Sequence, residues 1–140
     1  MRRLQHAAGA EPAPPEVVSG SAWIRSLAHP EAPSRLVVDD VTFAPGSHTI
    51  WHRHPCGQVL VVTAGAGWLQ ARGRPALAVR EGDVVWVEPD EEHWHGAAPD
   101  QLLRHLSIQE HDDGRAADLG EPLAAGTYPP RPRDPEEDPR

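Results

Sequence analysis

The sequence predicts an all-β fold, a small antiparallel barrel or jelly roll, and three observations support this prediction. About eight short segments alternate apolar and polar residues or are continuously apolar, as strands do. Turns rich in glycine and proline separate these segments at regular intervals. No stretch shows the apolar spacing of a long helix. Because barrels of about eight strands can hold one small ligand, this fold predicts an internal binding site.

Residues 21–128 are predicted to form one domain between two disordered tails, residues 1–20 and 129–140. Both tails are rich in proline and lack an apolar period. The chain length of 140 residues falls within the usual size of one domain.

Composition argues against several functional classes. The net charge of −8 argues against nucleic acid as a partner. All 13 basic residues are arginine, which excludes chemistry through a lysine Schiff base. The single cysteine, Cys56, cannot form an internal disulfide, and we identify neither a secretion signal nor an apolar run of about 20 residues. We therefore expect a cytoplasmic protein with no membrane partner.

The first two predicted strands are Ser21–Leu27 and Arg35–Phe43. In the second strand, Asp39 and Val41 share the face expected to line the barrel, which makes Val41 a candidate substrate contact. A buried carboxylate is unfavourable unless it is paired or near a cation, so Asp39 is a candidate base or partner of a metal-ligating histidine. Alternatively, Asp39 and Asp40 lie at a strand bulge or face solvent.

A candidate metal site begins at His52 and His54. Residues two apart in a strand share a face, and at about 3.3 Å per residue their Cα atoms lie about 6.6 Å apart, close enough for both imidazoles to reach one cation. The turn Pro55–Gly57 returns Gln58 to the side of these histidines, and a third histidine, His93, follows a later turn. The alternative is a set of unrelated surface or core histidines.

Turn residues divide the rest of the chain into further strands. The predicted strands are Gln58–Thr63, Trp68–Ala71, Ala76–Val79, Val84–Glu88 and Leu102–Gln109. The segment Ala64–Gly67 is predicted to be a turn, and Arg115–Leu119 one short helical turn. Apolar residues occupy both faces of Val59–Val62, which predicts a homodimer or homotetramer.

The last predicted strand carries two more candidate site residues, because His105 and Gln109 share the face that should line the barrel. Imidazole has a pKa near neutrality, so His105 is a candidate acid–base residue; its alternative is a core histidine satisfied by a neighbour. Gln109 could hydrogen-bond a substrate. His95 lies two residues after His93, so both would share a strand face. His95 could contact substrate, support a ligand histidine or pack in the core.

Two motifs in the chain resemble those of the cupin superfamily. The first has the spacing Gly, five residues, His-x-His, three residues, a ligand position, six residues, Gly, and the second runs from a Gly-Asp turn to a histidine. The matching residues are Gly46, His52, His54, Gln58, Gly65, Gly82, Asp83 and His93. Gln58 stands where most cupins have Glu, and Asp90 where Gly is usual. The resemblance implies that His52, His54, Gln58 and His93 bind one metal ion.

A closer resemblance is to a group of small bacterial cupins, some of which are manganese-dependent hydroxynitrile lyases. It rests mainly on His52–Gln58, with the pattern His-x-His-Pro-x-Gly-Gln, and on His93–Ala97, which reads His-Trp-His-Gly-Ala. It implies one divalent metal ion, Mn before Fe, Zn, Ni or Co, and a small-molecule substrate. Asp39 departs from the small residue expected at its position, which changes the charge of the pocket.

Three functions are consistent with these residues. The first is a lyase in which the metal acts as a Lewis acid on a small hydroxylated substrate such as a cyanohydrin. Neutral ligands leave the charge of a divalent cation uncompensated, which favours this function over oxygen activation. The alternatives are an Fe-dependent oxygenase of a small organic substrate and a non-catalytic cupin that binds a small molecule.

Overall fold

A computed structural model describes residues 1–5 and 8–130, and these residues form twelve β-strands and no helix. The strands are β1 (Glu11–Pro12), β2 (Val18–Ser19), β3 (Ala22–Ala28), β4 (Leu36–Phe43), β5 (His48–Thr49), β6 (His52–Arg53), β7 (Gln58–Ala71), β8 (Leu77–Arg80), β9 (Val84–Val87), β10 (His93–Ala97), β11 (Leu103–Glu110) and β12 (Asp118–Leu119). Within the described ranges, no helix is long and apolar enough to cross a membrane.

All strand pairs are antiparallel, and the central path of the sheet is β1-β3-β4-β11-β7-β10-β5-β2. Strand β7 belongs to both halves of the curled sheet, because its first part pairs with β9 and β11 and its second part with β8 and β10. The predicted all-β antiparallel fold is confirmed.

The predicted turn at Ala64–Gly67 is wrong, since β7 runs through it without a break. Gly65 has a φ of +76°, and the register of β11 against β7 shifts nearby, so the chain bends here instead of reversing. At Gly67 a Cβ atom would lie 2.0 Å from the carbonyl oxygen of Gly96. The glycines therefore let one long strand turn the corner between the two halves of the sheet.

The register across the sheet brings the candidate residues onto its inner face. Ser107 on β11 pairs with Asp39 on β4 on one side and with Leu60 on β7 on the other. His105 pairs in the same way with Val41 and Val62. The alternation predicted for β11 is confirmed, because the inward-facing residues are buried and the others are more exposed.

The ends of the chain differ from the predicted tails. Residues of β1 pair with β3, and Val18 on β2 belongs to the hydrophobic core with 7% of its surface exposed. Strand pairing thus starts before the predicted boundary at Ser21. Residues 131–140 of the predicted C-terminal tail lie outside the described residues, whereas the carbonyl oxygen of Pro130 accepts a 2.7 Å hydrogen bond from the Trp68 indole.

The helical turn predicted at Arg115–Leu119 is also wrong. Residues 118–119 form β12, which pairs with β6, so that Leu119 lies opposite His52. A second contact extends this pairing, since the amide of Trp51 donates to the carbonyl oxygen of Glu121 at 2.9 Å. Backbone pairing with a distant strand outweighs the local helical pattern here. As a result, the segment after β11 runs beside the candidate metal ligands.

Candidate metal centre and its cavity

The three predicted ligand histidines lie side by side and are buried. His93 on β10 is the register partner of His52 on β6, and His54 follows β6 directly. The ring centroids of His52 and His93 are 4.3 Å apart. The ring of His54 lies 5.1 Å from that of His52 and 5.4 Å from that of His93. The fold therefore gathers the predicted imidazoles in one place.

Each of these rings is oriented by a backbone carbonyl oxygen that faces its Nδ1 atom. The distances are 2.9 Å from His52 to Ile50, 2.9 Å from His93 to Glu91 and 2.7 Å from His54 to Ala116. A carbonyl can only accept a hydrogen bond, so Nδ1 carries the proton and Nε2 keeps a free lone pair. The buried Nε2 of His54 has no hydrogen-bond partner among the described residues. This is the arrangement expected of histidines that bind a metal through Nε2.

Gln58, at the start of β7, presents its carboxamide oxygen to the same group. Its Oε1 lies 3.3 Å from Nε2 of His93. Its Nε2 donates hydrogen bonds to Oγ of Ser107 at 2.5 Å and to Oε1 of Gln109 at 3.1 Å. Three imidazole nitrogens and one amide oxygen could thus serve as donors to one cation.

His95 overlaps with this set. Ring nitrogens of His52, His93 and His95 lie within 4.8 Å of one another, and this group of three buried histidines could hold a metal ion. His54 is not a member of that group. On its other side, Nδ1 of His95 is 3.2 Å from Nε2 of His105. His52 and His93 belong both to the predicted set of ligands and to this group of three. His95 connects them to His105.

The histidines of the centre are held in the neutral form that ligates metals. Burial, followed by the proximity of other histidines, lowers the pKa of His52 and of His95 well below the usual value. Burial lowers the pKa of His93 to about 4. The pKa of His54 is lowered for the same reason, against the opposing effect of its hydrogen bond to Ala116. Near pH 7 these rings therefore carry no charge, and protons do not compete with a cation for their lone pairs.

A cavity of about 190 Å³ adjoins the centre. His52, His54, Gln58 and His95 form its polar side, and most of the remaining wall is apolar. Of the other predicted site residues, Asp39 and Val41 line this cavity. Val41 and His95 therefore both border the cavity, and their contact with a substrate stays a prediction.

Gln109 and His105 are not among the described residues that line the cavity. Gln109 was predicted to hydrogen-bond a substrate, but its carboxamide oxygen instead accepts hydrogen bonds from Gln58 and Ser107. His105 is 1% exposed and packs between His95 and Phe43. Burial lowers the pKa of His105 to about 4. The ring of His95, which lines the cavity, also contacts His105 and so connects His105 to the cavity.

Asp39 and Asp40 point to opposite sides of β4. Asp39 lines the cavity, and burial raises the pKa of its carboxyl, although a side-chain hydrogen bond with Ser26 acts in the opposite sense. Asp40 binds Arg104 and Arg25 at 2.6 and 2.9 Å. The alternative in which both aspartates face solvent is wrong, because Asp40 is buried. The strand irregularity of that alternative is present on β3, where the register shifts between Ser26 and Ala28, opposite Asp39.

Two residues near the centre were missed by the sequence analysis. Ser107 bonds to Gln58, and its position on the inner face with His105 and Gln109 could have indicated it. Ala116 orients His54 through its backbone oxygen, and no side-chain pattern could have revealed that contact.

Comparison with known proteins agrees with the fold. The sequence matches the AraC-like ligand binding domain over residues 43–139. It is 44% identical over 115 residues to the (R)-mandelonitrile lyase of Granulicella tundricola, covering 82% of this chain and 88% of that protein. The structure of a cupin-like protein from Thermotoga maritima has a TM-score of 0.80 and 35% identity, with 91% of this chain and 95% of the other covered. A polyketide cyclase from Streptomyces resistomycificus has a TM-score of 0.70 with 92% and 89% covered, and at 20% identity it shows the fold alone. The chain therefore belongs to the cupins, within the family of AraC-like ligand binding domains.

Proposed function

We propose that this protein is a metal-dependent lyase that cleaves, or in reverse forms, small cyanohydrins. The observation that carries the proposal is the group of buried imidazoles whose Nδ1 protons are bound by backbone oxygens and whose Nε2 lone pairs are free. The 44% identity to a protein named (R)-mandelonitrile lyase supports the same class of reaction.

The proposed metal ligands are His52, His54, His93 and Gln58. Neutral imidazoles and an amide oxygen suit a divalent first-row metal, and we favour Mn over Fe, Zn, Ni or Co on the sequence resemblance. A divalent cation bound by these neutral groups would supply Lewis acidity to a substrate hydroxyl.

Cleavage of a cyanohydrin requires two proton transfers. A base removes the hydroxyl proton, and the bond between the hydroxyl-bearing carbon and the nitrile carbon breaks. The electron pair of that bond leaves with cyanide, which takes up a proton. An aldehyde remains. Asp39 borders the cavity directly, whereas His105 would exchange protons with it through His95. These two residues are the candidates for base and acid.

The apolar part of the wall would receive the body of the substrate. Phe43 and Val41 lie in the wall near His95, and the Phe43 and His95 rings are 5.5 Å apart, edge to face. Burial of an apolar substrate against these side chains would exclude water and orient the hydroxyl toward the imidazoles.

Metal analysis of untreated protein, followed by cyanide and oxygen assays, tests the proposal. We expect one equivalent of metal per chain, release of cyanide from mandelonitrile and no consumption of oxygen. Oxygen uptake that depends on Fe(II) would show an oxygenase instead. Bound metal with neither activity would contradict a lyase acting on this substrate.

A second candidate is a non-catalytic module that binds a small molecule, which the match to a ligand binding domain favours. It predicts that an apolar alcohol binds with measurable affinity and that no substrate is turned over. Calorimetry with benzyl alcohol, run beside the cyanide assay, separates the two functions.

We also propose that the protein is a cytoplasmic homodimer or homotetramer. Its outer sheet surface carries Trp86 and Val84 on β9, which are 52% and 66% exposed, beside the half-buried Val59 and Val61 of β7. Such an apolar strip suits a contact with a second copy of the chain.

A further inference from the structure

Gln58 has two chemically different ends, and only one of them can bind a metal ion. Its carboxamide oxygen is a donor atom for a cation, whereas its amino group has no available lone pair. We propose that Ser107 and Gln109 form a clamp that holds the amino end and so directs the oxygen toward the imidazoles. This inference rests on the proposed metal site and assigns Gln109 a positioning role instead of the predicted contact with substrate.

The clamp is a closed triangle of hydrogen bonds. Nε2 of Gln58 donates one proton to Oγ of Ser107 at 2.5 Å and the other to Oε1 of Gln109 at 3.1 Å. The hydroxyl of Ser107 donates its only proton to the same Oε1 at 2.7 Å. Ser107 can therefore only accept from Gln58, and the direction of every bond in the triangle is determined.

Burial makes this orientation selective. Gln58, Ser107 and Gln109 are 2%, 5% and 9% exposed, so an unmade hydrogen bond among these buried groups would be costly. If the Gln58 amide rotated by half a turn, its oxygen would face Oε1 of Gln109, which is a repulsive contact between two acceptors. Its amino group would donate to the Nε2 lone pair of His93 and so block the atom that a metal ion needs. The observed orientation leaves Oε1 of Gln58 3.3 Å from that nitrogen.

The clamp follows from the strand register. Gln109 on β11 is the direct partner of Gln58 on β7, and Ser107, two residues earlier, lies on the same face. Two adjacent strands thus supply the ligand and the groups that orient it.

Metal affinity measured by Mn²⁺ titration tests the clamp. Gln109→Leu removes the shared acceptor, and we expect affinity to fall about 10- to 100-fold, as when outer partners of metal ligands are lost. Gln109→Glu keeps acceptor oxygens and should restore most of the affinity. Glu110→Gln, on the exposed side of β11, is the matched control and should bind Mn²⁺ as the unmodified chain does.

The deciding measurement repeats the substitution in a chain that carries Gln58→Ala. Without a carboxamide to orient, Gln109→Leu should change affinity by no more than about twofold. An equal loss in both backgrounds would overturn the clamp and indicate a general packing role. Ser107→Ala provides a second test if Gln109→Leu does not fold. Failure of the unmodified chain to bind Mn²⁺, Fe²⁺, Zn²⁺, Ni²⁺ or Co²⁺ would overturn the metal site itself.

Discussion

Between His105 and Gln109, the inner and outer faces of β11 reverse the usual distribution of side chains. Its inward residues His105, Ser107 and Gln109 are polar and buried, whereas the outward Leu106 and Ile108 are apolar and partly exposed. Burying polar groups is unfavourable unless they are hydrogen-bonded, and an ordinary barrel would place them outside. The difference supports the proposals of a chemical site in the interior and of a contact with a second apolar surface on the outside.

The largest effect is expected from removing an imidazole on the inner side. His52→Ala should reduce metal affinity by more than about 100-fold, because loss of a direct ligand should exceed the effect of losing its outer partner. Elemental analysis after desalting measures the change. Arg53→Ala, one residue later on the exposed side, is the control. Retention of metal by the His52 variant would show that His52 is not a ligand.

His105→Ala tests whether the inner face of β11 takes part in proton transfer. We expect cyanide release to fall by about 10²- to 10⁴-fold, as when an acid–base group is lost, while the metal content stays the same. Ile108→Val, on the outer face, should leave the rate unchanged. Parallel loss of metal and activity would assign His105 a structural role.

Asp40→Asn probes an outward-facing ion pair and should destabilise the fold by about 1–3 kcal/mol at pH 7. The hydrogen bond and charge of Arg104 lower the pKa of Asp40, with a further contribution from Arg25. The stability from this pair is therefore present above the unfolded pKa of about 3.9 and is lost as the pH falls through the lower folded pKa. Urea unfolding at pH 7 and pH 3 measures it. If the difference in unfolding free energy between the unmodified chain and the Asp40 variant were larger at pH 3 than at pH 7, the assigned ion pair would be contradicted.

Asp39, the neighbouring residue on the inner face, should affect the pH dependence of stability in the opposite way. Burial raises the pKa of Asp39, so its ionised form opposes folding once the pH exceeds the unfolded value of about 3.9. In metal-free protein, Asp39→Asn should leave the unfolding free energy at pH 7 equal or higher by up to about 1 kcal/mol. Chemical unfolding in the presence of a chelator provides the measurement, and clear destabilisation would contradict the assignment.

Trp86→Glu is expected to have the smallest effect on the fold. Its side chain is exposed on β9, so the unfolding free energy should change by about 0.5 kcal/mol or less. The mass in solution, measured by light scattering, should fall toward that of a monomer, with metal content preserved. An unmodified chain that is already monomeric would rule out the proposed assembly.

Local patterns were sufficient to predict much of this fold. Alternation in β11 predicted its inward positions, and the spacing of His52 and His54 predicted that these two rings lie close together, because strand geometry determines which side chains share a face. The continuity of β7 was missed because Gly65 and Gly67 have the composition of a turn. Strand β12 was missed because its pairing with β6 joins residues far apart in the chain, and no local pattern encodes such a contact.

The bond from His54 to Ala116 has a practical consequence for the part of the chain that follows β11. That stretch contains no proposed ligand, yet it supplies the oxygen that orients one of them. Proteolytic trimming after residue 111 would therefore remove the bond that orients the His54 ring, although His54 itself stays in the chain. Exchange of this segment between related cupins should alter how firmly the ion is held, although every donor atom stays the same.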